Sequence, residues 1–195
     1  AAGSSNTSAG FNTIIGFQSG IGNTGGYNSF FGYRAGFQNS GSSNVFLGNE
    51  AGRSNTSGSY NIFIGYRSGY YNSTGQYNTY LGYYSGYRAG YSTDYDPSYN
   101  TYIGYQTGYN MREGDYNTFI GFQSGYSQNS IYSTGSRNTA LGYKTGYSLT
   151  SGSKNVFIGD STGYANNTGV NNVFIGIASG AKNTNGSYNA FIGSE

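Results

Sequence analysis

Histidine, cysteine and tryptophan are absent from these 195 residues, and proline and methionine occur once each. Without imidazole or thiol there is no ordinary general base near neutral pH, no thiolate nucleophile and no soft-metal ligand, so most hydrolytic, redox and zinc chemistries lose their usual groups. Charge is scarce as well, with nine Lys and Arg against seven Asp and Glu. That is too little and too balanced for the basic stripe that nucleic-acid binding demands. No apolar run approaches the roughly 20 residues of a membrane-spanning helix. The opening Ala1-Ala2-Gly3-Ser4-Ser5 lacks the basic and hydrophobic regions of a secretion signal. Lack of cysteine fits a cytosolic protein and an extracellular fibre equally. The expectations from these absences are no enzyme, no cofactor, no nucleic-acid partner and no membrane insertion.

What is abundant is Gly, at 35 residues, and Tyr, at 24, with a mean hydropathy of −0.55. Such a composition suits low-complexity disorder, but disorder has no reason to keep a residue-level register, and this chain keeps one. Asn12, Asn28, Asn44, Asn61, Asn78, Asn100, Asn117, Asn138, Asn155, Asn172 and Asn189 each open a pentad that ends in Gly, at gaps of 16, 16, 17, 17, 22, 17, 21, 17, 17 and 17. A period of this kind predicts a solenoid, in which no coil can bury its apolar face alone. The expectation is a single all-β domain over residues 1–195, a parallel β-solenoid (β-roll) of about eleven 16–22-residue coils shaped as a rod.

Counting each ladder Asn as position 1, position 3 is Ile14, Phe30, Phe46, Phe63, Tyr80, Tyr102, Phe119, Ala140, Phe157, Phe174 and Phe191. Position 4 is Ile15, Phe31, Leu47, Ile64, Leu81, Ile103, Ile120, Leu141, Ile158, Ile175 and Ile192, and position 5 is always Gly. Period-two alternation puts positions 2, 4 and 6 on one face of a short strand and the position-3 aromatic on the other. Both faces are largely apolar, so the coil's own returning segment should cover one and a second element, such as another chain, the other. Position 8 is small and position 9 is Gly, a pairing suited to a tight corner, and a further Gly, or Pro97, sits three residues before the next Asn. The predicted coil is strand, corner, short second strand, turn. The repeated Asn is assigned to a structural ladder of amides bonded to one another and to turn backbone, and the aromatic and Ile columns to packing.

The run Asn-Thr-Phe-Ile-Gly-Phe at Asn117, with its following Ser124-Gly125, and Asn-Thr-Ala-Leu-Gly at Asn138 to Gly142 resemble the head repeats of trimeric autotransporter adhesins of the YadA type and of trimeric tail-fibre-like surface proteins. The resemblance covers the whole chain, although this repeat is longer and carries Phe or Tyr where the family has small residues. It implies a left-handed parallel β-roll, a homotrimer associated side by side, a location outside the cell or on its surface, and binding to host or matrix surfaces, including carbohydrate.

The two long gaps fall around Arg88–Pro97 and Ser127–Thr134, on the same edge of the predicted rod, and insertions stacked on one edge suit a binding surface. Candidate binding residues there are Arg88, Tyr91, Asp94, Tyr95, Asp96 and Tyr132. Asp94, Asp96, Glu113 and Asp115 occupy equivalent turns, where oxygen ligands for calcium are one reading and solvated carboxylates balanced by Arg112 the simpler one. Tyr at positions 6 and 10 is offered either to sugar rings or to packing. Asn6, Asn55, Asn72, Asn166 and Asn185 stand in glycosylation sequons. The leading functional expectation is a structural and adhesive fibre segment, a piece of something longer. Alternatives are a filament subunit stacking end to end, an ice-binding solenoid using Thr13, Thr79, Thr101, Thr118 and Thr139, and a phage-type tail fibre that binds polysaccharide.

Overall fold

The computed structural model describes residues 1–4, 6, 10–91, 95–128 and 133–195. It is an all-β parallel solenoid, rod-shaped, with no helix among those residues. Each pentad contributes one three-residue strand: β1 (Thr13–Ile15), β2 (Ser29–Phe31), β3 (Val45–Leu47), β4 (Ile62–Ile64), β5 (Thr79–Leu81), β6 (Thr101–Ile103), β7 (Thr118–Ile120), β8 (Thr139–Leu141), β9 (Val156–Ile158), β10 (Val173–Ile175) and β11 (Ala190–Ile192). They form one sheet in chain order. At a rung spacing of about 4.8 Å the ten steps make a rod of about 48 Å.

Equivalent positions pair throughout, including across the two insertions: Tyr80 lies opposite Tyr102 and Phe119 opposite Ala140. The extra residues are therefore absorbed outside the sheet, because a slip of one residue would turn the aromatic column to the other face.

Alternation along the strand decides the core. The position-3 side chains Phe30, Phe46, Phe63, Tyr80, Tyr102, Phe119, Phe157 and Phe174 are completely buried. Neighbouring rings in this column stack nearly parallel, 5.0 Å apart for Phe30 and Phe46 and 4.8 Å for Tyr80 and Tyr102, a spacing imposed by the rungs. The returning segment closes over them with its small position-8 residue and position-9 Gly. A Cβ built on Gly52 would lie 2.6 Å from the Phe46 ring, so the aromatic fits only because the corner has no side chain. Each buried Phe contributes on the order of 2–3 kcal/mol. Ala140 interrupts the column, and at its corner the Phe157 ring of the next coil comes within 3.1 Å of a Cβ built on Gly146, while Leu149 is fully buried in the same coil.

Among the described residues the expected second strand does not form. Coil-to-coil backbone bonds continue in the return, such as Gly36 N to Ala51 O at 3.1 Å and Gly86 N to Thr107 O at 2.9 Å. They are isolated bonds and not a ladder, because the chain turns left-handed at positions 7 and 9, at φ +52° for Arg67 and +59° for Gly69.

Candidate functional site

The ladder asparagines behave as one mechanical device. In each coil the Oδ1 atom accepts the backbone N–H of the next ladder Asn, 2.9 Å for Asn28 to Asn44 and 2.9 Å for Asn117 to Asn138. The Nδ2 group donates to the turn carbonyl that closes its own coil, 3.0 Å to Gly41 from Asn28 and 2.8 Å to Pro97 from Asn78. One side chain thus ties successive coils together and closes each of them, satisfying buried backbone groups that water cannot reach. Amide-to-amide bonds of the expected kind occur in this column at the C-terminal coils, as from Asn155 to Asn138 at 3.1 Å.

A second amide ladder escaped the sequence reading. Asn23, Asn39, Asn55 and Asn72 at position 12 are fully buried, with Nδ2 of Asn39 donating to Asn23 at 2.8 Å and Nδ2 of Asn55 to Asn39 at 2.7 Å. Asn183 bonds Asn166 in the same way at 2.8 Å. Here the sequon reading is corrected: Asn55, Asn72 and Asn166 are wholly inside the folded coil, where no glycan can be attached. Asn6 is half-buried and Asn185 is exposed.

The outward face of the sheet is open. Positions 2 and 4 form columns of Thr or Val beside Ile or Leu, with Ile62 41 %, Leu47 44 % and Ile15 57 % exposed. Two aromatic columns flank them. Before the ladder Asn, Tyr60, Tyr77, Tyr99 and Tyr116 stack at 4.8–5.0 Å within 8° of parallel. At position 6, Tyr66, Tyr83, Tyr105, Phe122 and Tyr143 stack at 5.2–5.3 Å. Rings inside such columns have both faces covered by neighbours and present only edges and hydroxyls, so they cannot stack on a sugar. From Phe11 to Phe122 none of the four columns contains a charge; Arg137, Lys154 and Asp160 follow beyond. The threonines named for ice binding lie on this face, half-buried except for exposed Thr13.

At the corner leading off position 6 the regular stacking breaks. Tyr84 meets Tyr66, Tyr83 and Tyr87 at 86°, 88° and 80°, and Tyr71 meets Tyr70 and Tyr87 at 70° and 67°. Arginines interleave with these rings. The Arg67 guanidinium lies 5.1 Å from the Tyr66 ring and 5.4 Å from that of Tyr70, Arg53 is 5.3 Å from Tyr70, and Arg88 is 5.7 Å from Tyr91 and 5.8 Å from Tyr109. Glu50, nearly buried, is held by Arg67 at 2.7 Å and Arg53 at 3.4 Å. The hydrogen bond from Arg67 to Glu50 raises the guanidinium further above its ordinary value, and burial does the same for the Tyr87 phenol.

The insertion residues are tied back to the coils. The Asp96 carboxylate accepts from Thr74 N at 2.6 Å and Thr74 Oγ1 at 2.7 Å through one oxygen, while its other oxygen is buried without a partner. Burial pushes its pKa up. Tyr95 donates to the Asp115 carboxylate, whose other oxygen takes Ser98 N at 2.8 Å, and that bond carries the Tyr95 phenol up to about 12. Asp94 and Tyr132 lie outside the described residues. Among those described, Asp96, Glu113 and Asp115 form no group able to hold a metal ion.

Comparison with family models, curated proteins and solved structures gives no match. The geometry alone therefore carries the functional reading. Among the described residues it offers no nucleophile–base pair and no enclosed acid pair; it offers a rod, a flat apolar face and an aromatic, cationic corner.

Proposed function

We propose that this chain is a structural and adhesive segment of an extracellular fibre, in which copies of the rod lie side by side with their sheet faces covered. The observation that carries the reading is that face. At about 3.3 Å per residue across seven positions and about 29 Å along the charge-free coils from Phe11 to Phe122, it spans about 700 Å². That exceeds the 300–600 Å² or so of a typical monomer's largest apolar patch and approaches the roughly 800 Å² that each partner contributes to a stable interface. Its lack of charge from Phe11 to Phe122 is the composition of an interface centre. The resemblance to adhesin and tail-fibre repeats suggests three copies. We read no catalytic role.

Light scattering combined with electron microscopy tests this. The expected result is a multimer of rods about 5 nm long per segment, converted to folded monomers by Ile62→Lys together with Leu81→Lys. A monomer at micromolar concentration with the face left open sinks the proposal.

A further inference from the structure

The two tyrosine columns that border the sheet face turn ring edges and hydroxyls outward, and those are the atoms through which phenols couple. We propose that the columns are sites of oxidative cross-linking, at which hydrogen peroxide and a haem-type peroxidase join laterally packed copies through dityrosine. The inference rests on the side-by-side arrangement proposed above and names the chemistry that makes it permanent.

Three observations converge. First, the phenols are accessible where the copies are proposed to meet. Tyr60, Tyr77, Tyr99 and Tyr116 on one border are exposed, as are Tyr83 and Tyr105 on the other, with Tyr66 half-buried beside them. The chain holds no cysteine, so no disulfide can serve the same purpose.

Second, the geometry confines the reaction to bonds between copies. Within the Tyr60 column the rings stack face to face, within 8° of parallel and 4.8–5.0 Å apart. An ortho–ortho bond needs two ring edges to meet at about 1.5 Å, the length of a carbon–carbon single bond. The rungs hold stacked neighbours apart, since each ring's backbone is bonded to the preceding coil, as from Tyr60 N to Ser42 O at 3.1 Å and Tyr99 N to Gln76 O at 3.0 Å. The two columns of one copy stand on opposite borders, six positions and up to about 20 Å of extended chain apart.

Third, the coils of β4, β5 and β6 carry Tyr on both borders: Tyr60 with Tyr66, Tyr77 with Tyr83, and Tyr99 with Tyr105. A closed ring of parallel copies is built from heterologous contacts, one border against the other. Copies in axial register therefore bring Tyr edges together at three successive heights, about 4.8 Å apart.

In the reaction each phenol loses one electron and its hydroxyl proton. The two phenoxyl radicals couple through carbons ortho to oxygen, and the hydrogen on each of those carbons shifts to oxygen, which restores both phenols. The peroxide takes up the two electrons and two protons and leaves as two waters.

The test treats the full chain, with its assembly state read by light scattering, with a haem peroxidase and hydrogen peroxide. Dityrosine fluorescence, denaturing gels and mass spectrometry of linked peptides from mixed light and heavy isotope-labelled copies are the readouts. Expected are covalent multimers whose links join the Tyr60 column of one copy to the Tyr66 column of the next. Tyr60→Phe/Tyr77→Phe/Tyr99→Phe/Tyr116→Phe keeps the stacked rings and should lose at least fivefold in dityrosine yield. Tyr126→Phe/Tyr147→Phe/Tyr164→Phe, which removes half-buried phenols from the returning segment, should cross-link as the parent does. Circular dichroism and light scattering of each variant separate lost coupling from lost fold or lost assembly. Multimers that give no covalent product, an equal yield from the first variant, or links that map to Tyr126, Tyr147 and Tyr164 overturn the inference and leave lateral assembly standing. A monomeric parent sinks the lateral reading, and the inference falls with it.

Discussion

The glycine that ends each pentad allows the rung spacing to be tested by adding a single methyl group. Gly121 has φ +129°, and a Cβ there would sit 2.1 Å from the carbonyl oxygen of Gly142 in the next coil and 2.7 Å from its carbon. Gly193 has the same backbone, φ +139°, with nothing within 4 Å of its virtual Cβ. Gly193→Ala therefore reports the backbone term alone, about 1–3 kcal/mol. Gly121→Ala reports that term plus the collision. The Gly142 backbone is held by its own bond to Ile120 O at 2.8 Å and by the Asn ladder at Asn138, so it cannot retreat cheaply. Overpacking of this sort adds about 1–3 kcal/mol, giving about 2–6 kcal/mol in all. The assay is urea unfolding followed by far-UV circular dichroism, with amide hydrogen exchange at Gly142 and Gly193, because a repeat array can open at one end without its middle. If Gly121→Ala protects Gly142 as well as the parent does, or costs no more than Gly193→Ala, contact between coils does not set the glycine column.

Replacing Asn117 with Ala leaves the Asn138 N–H and the Gly135 carbonyl buried without partners. It should cost about 2–4 kcal/mol in denaturant unfolding. Asn117→Asp keeps the acceptor but sets a carboxylate against that carbonyl, so its loss should shrink in acid. The Tyr80 and Tyr102 hydroxyls are buried without partners, in coils whose position-12 residue is Ala89 or Met111 instead of Asn. Tyr102→Phe should therefore stabilise the rod by about 1 kcal/mol. Burial raises both phenols above 10.0. Their contribution is complete below that pH and is lost as pH rises through the folded values, so Tyr80→Phe/Tyr102→Phe should shift alkaline unfolding to higher pH. Asp96 has its carboxyl raised from 3.8 by burial. Its contribution is most favourable below that pH and diminishes as pH climbs through the raised value. Asp96→Asn should flatten the acid limb of the stability curve, read by thermal melts across pH.

Much of this architecture was legible because glycine and period-two alternation leave marks in a sequence. The pentads lie in register as rungs, and the position-3 column faces away from positions 2 and 4. Which face is inner is less plain, since Ile64 is as apolar as Phe63. What decides it is the room left by Ser68 and Gly69, small residues that admit a ring beneath them. The second amide ladder was masked in two ways. It breaks at Ala89, Met111, Gln128 and Leu149, and Asn55, Asn72 and Asn166 coincide with sequons. The missing second strand left only half a signal in the sequence, because of the two left-handed corners that prevent it one falls on Gly69, at φ +59°, and the other on Arg67, at φ +52°, a residue type that does not announce such a backbone. Such backbones cost about 1–3 kcal/mol each and persist where the surrounding ladder over-determines them. The corner cluster was out of reach for the same reason, since its residues come together only once the chain turns there.

Two kinds of recurrence separate assembly from recognition. Inner positions recur because close packing leaves no alternative: a ring at position 3 requires Gly at position 9 of its own coil, and the next coil requires Gly at position 5. Nothing within the rod requires Ile or Leu at position 4, where Leu81 is 39 % and Ile120 37 % exposed; Thr would suit the strand as well and would hold water better. Position 7, by contrast, changes from Arg34 to Glu50, Arg67, Tyr84, Gln106 and Lys144, as expected of a column free to acquire different chemistry. If an outer neighbour explains the aliphatic column, Ile120→Lys should leave the melting temperature of a dilute, monomeric sample within a few degrees of the parent, because an exposed substitution costs about 0.5 kcal/mol or less. The same change should lower the melting temperature of the assembled rod and reduce its mass, because a lysine now meets an apolar partner. Equal melting at every protein concentration for parent and variant would mean that the column faces water in the working molecule, and its apolar character would then need another cause.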